Sequence, residues 1–322
     1  MNETRFVCIC MSPALDATVR LPRAPKGDGE IFKDVEEETN VGGKAVNVAR
    51  WLALRGAKVA CGGLLGEDNA RPFERELAKY GIEDIFVRVP GETRRNEMLT
   101  WPGGAVKLNR TAFPALGKEG SWSSKLELEN GMTEIGTGDV VIFSGSLPPA
   151  VPKDFYANAV AHFKSLGCTV VVDASGDAMK LALEAKPDLI KPNAEECEAL
   201  VGFVPRAEED FKRATALLRE KAAYVIISDG GAGAWFDGEF TAAPKVDVVD
   251  TTAAGDTLLA EYCWRVFGGR GKVEFKVGSA FAKATVDERE AARWAVAAGS
   301  AACAMPGGAP PDADLVDGLF HG

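Results

Sequence analysis

The chain has 322 residues, 46% of them hydrophobic, which is ample for a packed core. Its 47 acids against 37 bases leave a net charge of −10, so it is not built as a general nucleic-acid binder. Two histidines and seven cysteines with no CxxC spacing argue against a His-built zinc site or a Ser-His-Asp triad, which leaves carboxylates, backbone amides, Lys and Arg to carry any chemistry. "MNETRFVCIC" reads as a first strand rather than a signal peptide, and no apolar run approaches the roughly 18 residues of a membrane span. Reduced thiols in a cytoplasm are the expectation.

In chain order, "FVCICM" opens as a buried strand with Cys8 and Cys10 on one face, both expected in the core. Residues 16–40 carry "ATVRLP" and "GEIFKDVEEE", both with period two. "NVGGKAVNVARWLALRG" follows, a helix with Val46, Val48, Ala49 and Leu52 behind a double glycine. "KVACGGLL" is the next strand and "ARPFERELAKYG" the next helix. Residues 85–113 hold "IFVRVP" and then "NEMLTWPGGAVKLN", a hairpin pattern around Pro-Gly-Gly. Beyond them come "VVIFSGS", the helix "PKDFYANAVAHFKSLG", "TVVVDAS", "DLIKPN", the helix "EDFKRATALLREK" and "YVIISDG". "VDVVDTTAAGDTLLAEYCWRVF" closes the series. It alternates like a strand at Val246–Val249, then turns helical with Leu258, Leu259, Tyr262 and Val266 on one face.

Continuous apolar strands between helices mean a parallel sheet covered on both faces, hence an α/β, doubly wound fold in one domain over 1–322. The period-two segments of about 16–40 and 85–113 lack apolar surface on both faces. They are expected to form a small antiparallel β lid that covers a site or meets a second subunit. The strand tips "SGSLPP", "DASGD", "KPNAEE", "SDGGAGA" and "DTTAAGD" are small, polar and glycine-rich. In an open parallel sheet they share one rim, where ligands bind.

Each tip has a chemical reading and a plainer one. Ala253, Ala254 and Gly255 set no side chain between a helix N-terminus and a ligand, which makes an anion hole for a phosphoryl group. Asp256 could take a proton there, although on this stretch alone an N-cap is the simpler reading. Gly42 and Gly43 allow a small ligand close to the backbone, with Lys44 and Asn47 facing it; the spacing is not that of a Walker A loop. Arg94 suits a phosphate, with Lys33 on the other lid segment and Arg95 on a solvated face. Asn193 and Glu196 share a helix face and suit a hydrated magnesium, or merely cap a surface helix. Lys191 precedes them, and Ser228, Gly230 and Gly233 make a loop for a nucleotide phosphate.

Taken together, GGKxxN, TRxN, SGSLP, KPNxxE, SxGxxGA and DTxxAGD, in that order over almost the whole chain, resemble the PfkB (ribokinase-like) family of carbohydrate kinases. "SPALD", "GGKAVNVAR", "GETRRN" and "SGSLPPAVPKDFY" are most similar to the sugar-phosphate branch that includes 1-phosphofructokinase and tagatose-6-phosphate kinase. The resemblance implies a ribokinase-like fold and ATP-dependent, magnesium-dependent phosphoryl transfer to a ketohexose phosphate such as fructose 1-phosphate, fructose 6-phosphate or tagatose 6-phosphate. It makes Asp256 the general base and the amides of Ala253, Ala254 and Gly255 the anion hole. Asp16, Gly42, Gly43 and Asn47 would hold sugar hydroxyls. Lys44, Arg94 and Lys33 would hold the phosphate already on the sugar. Lys191, Ser228, Gly230 and Gly233 would line the nucleotide groove, with Asn193 and Glu196 organising magnesium through water.

The chain departs from that branch at Ser12 (usually Asn), Phe32 (Asn), Lys33 (Arg) and Ala45 (Gly), and it lacks the Thr-Glu pair near Lys107 and Leu108. "DTTAAGD" has the ribokinase form, in which an Asp at the Asp250 position helps bind potassium. That allows a monovalent-cation site at Asp250 and Thr252. The alternatives are a kinase of an unphosphorylated sugar or nucleoside and an inactive sugar or nucleotide sensor. Retention of Gly255 and Asp256 counts against the sensor.

Overall fold

The computed structural model describes residues 4–110, 135–268 and 287–322. Six parallel strands form its central sheet, in the order β10-β9-β8-β1-β4-β5. They are β1 (Arg5–Cys10), β4 (Lys58–Gly66), β5 (Glu83–Val89), β8 (Val140–Ser144), β9 (Thr169–Asp173) and β10 (Leu189–Ile190). Beyond β10 the sheet direction continues through single bridges from Ile190 to Val225 and from Asn193 to Ser228. Those bridges lead into β11 (Ile226–Ser228), β12 (Gly233–Phe236) and β13 (Glu239–Ala242), which pair antiparallel.

Side-chain alternation along β1 divides the core. Phe6, Cys8 and Cys10 pack with α1 (Lys44–Leu54), α2 (Arg71–Lys79), α7 (Ala254–Cys263) and α8 (Glu288–Cys303). Val7 and Ile9 pack on the other face with α3 (Phe155–Ser165), α4 (Gly176–Glu184), α5 (Ala194–Val201) and α6 (Glu208–Arg219). A final helix, α9 (Ala313–His321), rests on α8 through Trp294 stacked on Phe320. Burial of both sheet faces is why the strands read as unbroken apolar runs.

The lid is a four-stranded sheet in the order β3-β2-β6-β7: β3 (Glu36–Gly42), β2 (Ala14–Arg20), β6 (Arg95–Trp101) and β7 (Gly104–Leu108). Its outer pairs are antiparallel, but β2 and β6 run parallel. Residues 111–113 of the expected lid lie outside the described residues. "IFVRVP" is not lid: it lies in β5, the edge strand of the main sheet, paired parallel to β4 from Ala60–Glu83 to Gly66–Val89. An edge strand has one pairing neighbour and a half-exposed face, which gives the period of two that suggested a lid. Val246–Val249 form no strand. The amides of Val249 and Asp250 donate to the Cys303 carbonyl at the end of α8, and Val248 and Val249 stand exposed. Alternation marks strand potential, but among the described residues no neighbouring strand makes the ladder.

Candidate active site

The strand tips do share one rim. Residues of "KPNAEE", "SDGGAGA" and "DTTAAGD" line an open cavity of about 390 Å³ between the main sheet and the lid, while "SGSLPP" and "DASGD" lie outside the lining. Asp256 forms its floor, only 5% exposed. Asp256 is not the N-cap. Ala253 occupies that position in a left-handed conformation, with φ 65°, and no side chain caps α7. The Ala254 amide reaches the Thr251 carbonyl only at 3.4 Å, and the Thr257 amide donates to the Ala253 carbonyl at 2.8 Å. The first-turn amides therefore open toward the cavity, as an anion site requires. Ala253 and Gly255 line the cavity, and the Ala254 side chain is not part of the lining.

α1 supplies the opposite wall. Gly43 precedes it at φ 123°, and a Cβ there would meet Cys10 Sγ at 2.8 Å and Pro13 Cα at 3.2 Å. Only glycine allows this approach. Gly42 lies outside the lining and makes room instead, since a Cβ there would run into the Asp16 carboxylate. Asn47 Nδ2 donates to Asp256 Oδ2 at 2.8 Å, so this amide holds the expected base as well as facing the cavity. Asp16 accepts from Asn96 Nδ2 at 2.7 Å, because the β2–β6 register sets those two residues side by side.

Cations surround the buried carboxylates. Asp173, at the tip of β9, has no exposed surface and sits between Lys44 Nζ at 3.3 Å and Lys191 Nζ at 3.3 Å. Ser144, its register partner on β8, donates to it at 3.1 Å. Burial pushes the Asp173 carboxyl up, but Lys191 and Lys44 outweigh it and hold it below the ordinary value. Asp256 goes the other way. Burial raises it, the Asp173 charge adds to the rise, and Lys44, Asn47 and Lys191 oppose without prevailing. Burial would lower the Lys44 ammonium, yet the charges of Asp173, Asp256 and Glu196 raise it. Lys44 and Lys191 thus bring two ammonium groups to the cavity lining beside the open helix end.

Arg94 reaches the cavity from the lid. Its Nε, Nη1 and Nη2 donate to the carbonyls of Pro13, Arg110 and Ser12 at 3.2, 2.9 and 3.1 Å. Two of the five N–H groups of a guanidinium remain for a ligand. Lys33 does not reach the site: it is exposed on the loop before β3 and absent from the lining.

On the far side, Asn193 and Glu196 form a capping box. Asn193 Oδ1 accepts from the Glu196 amide at 2.7 Å, and Glu196 Oε2 accepts from the Asn193 amide at 2.9 Å. Both also line the cavity. One Glu196 oxygen stays available, and among the described residues no cluster of three acids, histidines or cysteines forms a metal cage. That donor set fits a magnesium that keeps most of its waters. Ser228 lines the cavity. Gly230 and Gly233 do not; a Cβ on Gly233 would strike the Thr241 carbonyl, so the fold needs that glycine.

Thr252 lines the cavity and Asp250 lies behind it. Asp250 Oδ1 accepts from the Thr252 amide at 2.9 Å and its hydroxyl at 2.7 Å, while Oδ2 accepts from the Gly307 amide at 3.2 Å. Burial raises this carboxyl, but the Thr252 bonds prevail and lower it.

Sequence reasoning missed Asp173, Ser144 and Asn96 as site residues. The signal for Asp173 was present: an acid ending the all-apolar run "TVVV" must find partners if it is buried.

Comparison with known proteins gives the family and the fold. Residues 12–312 match the family described as pfkB family carbohydrate kinase. A 1-phosphofructokinase from Vibrio cholerae is 33% identical over 266 residues, covering 81% of this chain and 82% of that protein. One from Haemophilus influenzae is 34% identical over 277 residues, covering 83% and 86%. The fold matches phosphofructokinase-2 from Escherichia coli, solved with substrates and products, at TM-score 0.81 and 24% identity over 99% of both chains. It also matches ribokinase from Thermotoga maritima at TM-score 0.72 and 19% identity over 100% of both. No described helix is long and apolar enough to cross a membrane. The chain belongs to the pfkB family of carbohydrate kinases, phosphotransferases with an alcohol acceptor, and that membership implies the use of ATP and magnesium.

Proposed function

We propose that this enzyme transfers the γ-phosphoryl group of ATP to a hydroxyl of a phosphorylated ketohexose of the fructose 1-phosphate class. The observation that carries the reading is the joint presence of Arg94 and Lys44 in the cavity whose floor is Asp256. A buried carboxylate beside an open helix end serves any kinase of this fold. Spare guanidinium N–H groups at the sugar side serve an acceptor that is already anionic. The names of the 33% and 34% identical relatives support the same class.

In this reading the acceptor hydroxyl gives its proton to Asp256 as its oxygen bonds the γ-phosphorus and the bond to the β-phosphate oxygen breaks, releasing ADP. The amides of Ala254, Gly255 and Asp256, turned into the cavity by the left-handed Ala253, stabilise charge on the transferring oxygens. Lys191 adds to that role: its Nζ lies 3.4 Å from where a Gly255 Cβ would stand. Asp16, Asn96 and Asn47 orient sugar hydroxyls, Gly43 gives them room, and Ser228 borders the ATP groove. Asn193 and Glu196 would hold magnesium through water, and the ion would supply charge neutralisation on the phosphates.

Three finer readings belong here. We place a homodimer contact on the lid, where Val106 and Leu108 on one face of β7 are 45% and 46% exposed. A V106D/L108D variant that stays dimeric in sedimentation overturns it. We assign potassium to the Asp250–Thr252 turn as a second reading, tested by comparing rates in potassium and sodium chloride. The free cysteines suit a reducing cytoplasm.

The deciding experiment is a coupled assay of ADP release across fructose 1-phosphate, fructose 6-phosphate, tagatose 6-phosphate, fructose and ribose. Turnover confined to the unphosphorylated sugars overturns the assignment.

A further inference from the structure

α1 buries a charged residue that the phosphoryl-transfer scheme leaves without a role. Arg50 is 5% exposed and lies one helical turn beyond Asn47. Its Nη1 donates to Glu76 Oε1 on α2 at 2.9 Å. Its Nη2 donates to the Asn47 carboxamide oxygen and, at 3.4 Å, to the Gly308 carbonyl. We propose that Arg50 is a positioning residue for phosphoryl transfer: braced by Glu76, it locks the Asn47 amide in one orientation and so holds the Asp256 carboxylate and the anion-hole loop in a common frame. This rests on the reading of Asp256 as the general base.

Donor and acceptor chemistry carries the argument. A guanidinium only donates, and an ionised carboxylate only accepts. A carboxamide between the two has a single arrangement that satisfies both, oxygen toward Arg50 and nitrogen toward Asp256. Reversing it would set N–H groups against N–H groups and oxygen against a carboxylate. Asp256 Oδ2 is thereby held at 2.8 Å by Asn47, while Oδ1 accepts from no described residue and stays open for the hydroxyl proton. The second N–H of Asn47 and the second lone pair of its oxygen then remain to meet a sugar hydroxyl.

The second arm of Arg50 reaches the loop. A Cβ on Gly308 would lie 3.0 Å from Thr252 Cγ2 and 3.7 Å from Ala253 Cβ, so the backbone Arg50 holds packs directly on the loop that opens the anion hole. One side chain thus braces both reacting elements. A merely structural role, fastening α1 to α2 through Glu76, predicts lost stability and no dependence on Asn47.

A double-mutant cycle separates the two. Arg50→Met, Asn47→Ala and the double variant are assayed with ATP and whichever sugar or sugar phosphate the wild-type enzyme turns over. Arg50→Met is expected to lower kcat about 10- to 100-fold, as sub-ångström misplacement of a reacting group does, with KM for ATP nearly unchanged. The double variant is expected to lose less than the product of the two single losses, the remainder being the Gly308 arm that does not pass through Asn47. The acid limb of kcat/KM for Arg50→Met moves to higher pH, because a fixed Asn47 donor favours the charged Asp256. Lys44, Asp173 and Lys191, the other charged groups facing Asp256, are untouched by the change. Glu76→Gln keeps an acceptor for Arg50 and serves as the second probe if Arg50→Met folds poorly; it is expected to lose rate in the same direction. Wild-type kcat in Arg50→Met, or losses that add in the double variant, overturn the proposal. Full activity in Asp256→Asn overturns the base reading itself, a separate result from an additive cycle in an enzyme that Asp256→Asn inactivates.

Discussion

Asp256→Asn tests the site at its centre. The replacement is nearly isosteric at a position 5% exposed, and its amide oxygen can still accept from Asn47 Nδ2, now at 2.8 Å. It removes a carboxylate that burial already disfavours, so the fold loses no net stabilisation. Lys44 and Lys191 keep their partner Asp173, so the ATP side of the cavity keeps its charge. What disappears is the acceptor for the hydroxyl proton. General-base catalysis contributes about 10²- to 10⁴-fold, or about 2.7–5.4 kcal/mol of barrier at 1.36 kcal/mol per decade. The expected phenotype is therefore a kcat lower by that factor, an unchanged dissociation constant for ATP by calorimetry, and an equal or higher melting temperature. A variant with wild-type turnover refutes the base assignment. Parallel loss of ATP binding would show that the carboxylate organises the nucleotide instead.

Arg94→Ala should raise KM for a sugar phosphate about 10- to 100-fold, the equivalent of one or two charge-assisted hydrogen bonds, and leave KM for ATP alone; equal effects on both would mean that Arg94 does not hold the acceptor phosphate. Lys44→Met removes a charge that lowers the Asp256 carboxyl, whose value burial already raises. The base must be ionised to work, so the acid limb of kcat/KM should move to higher pH, and a limb that stays or moves down breaks the link between the two groups. Ala253→Gly relieves a non-glycine residue at φ 65° and should raise stability by up to about 1 kcal/mol, read by denaturant titration. A less stable Ala253→Gly would show that the methyl group packs against Gly308 to better effect than its backbone strain costs.

The sheet was legible because its strands are buried on both faces and read as apolar runs between helices. The helix starts were legible because glycines and small residues mark close approach, as at Gly43 and in "DTTAAGD". Asn193 and Glu196 show that a helix cap can also be a cavity wall, since both are formed by the same two side chains. Local patterning misled where a neighbour decided the outcome. "IFVRVP" has the period of a lid strand but pairs with β4, and "VDVV" has the period of a strand but meets no partner strand among the described residues. Lys33 has suitable chemistry and stands out of reach.

Composition, apolar period and the order of the glycine-rich strand tips thus determined the fold class and the rim that holds the candidate site, and the motif resemblance pointed to the carboxylate and helix end proposed to do the chemistry. Tertiary structure alone decided the partnerships. Lys44 meets Asp173 across 129 positions and Asn47 meets Asp256 across 209. Those contacts depend on which strands lie side by side and on the register between them, and a charge buried at a strand tip takes its meaning only from the residues that chain topology brings against it.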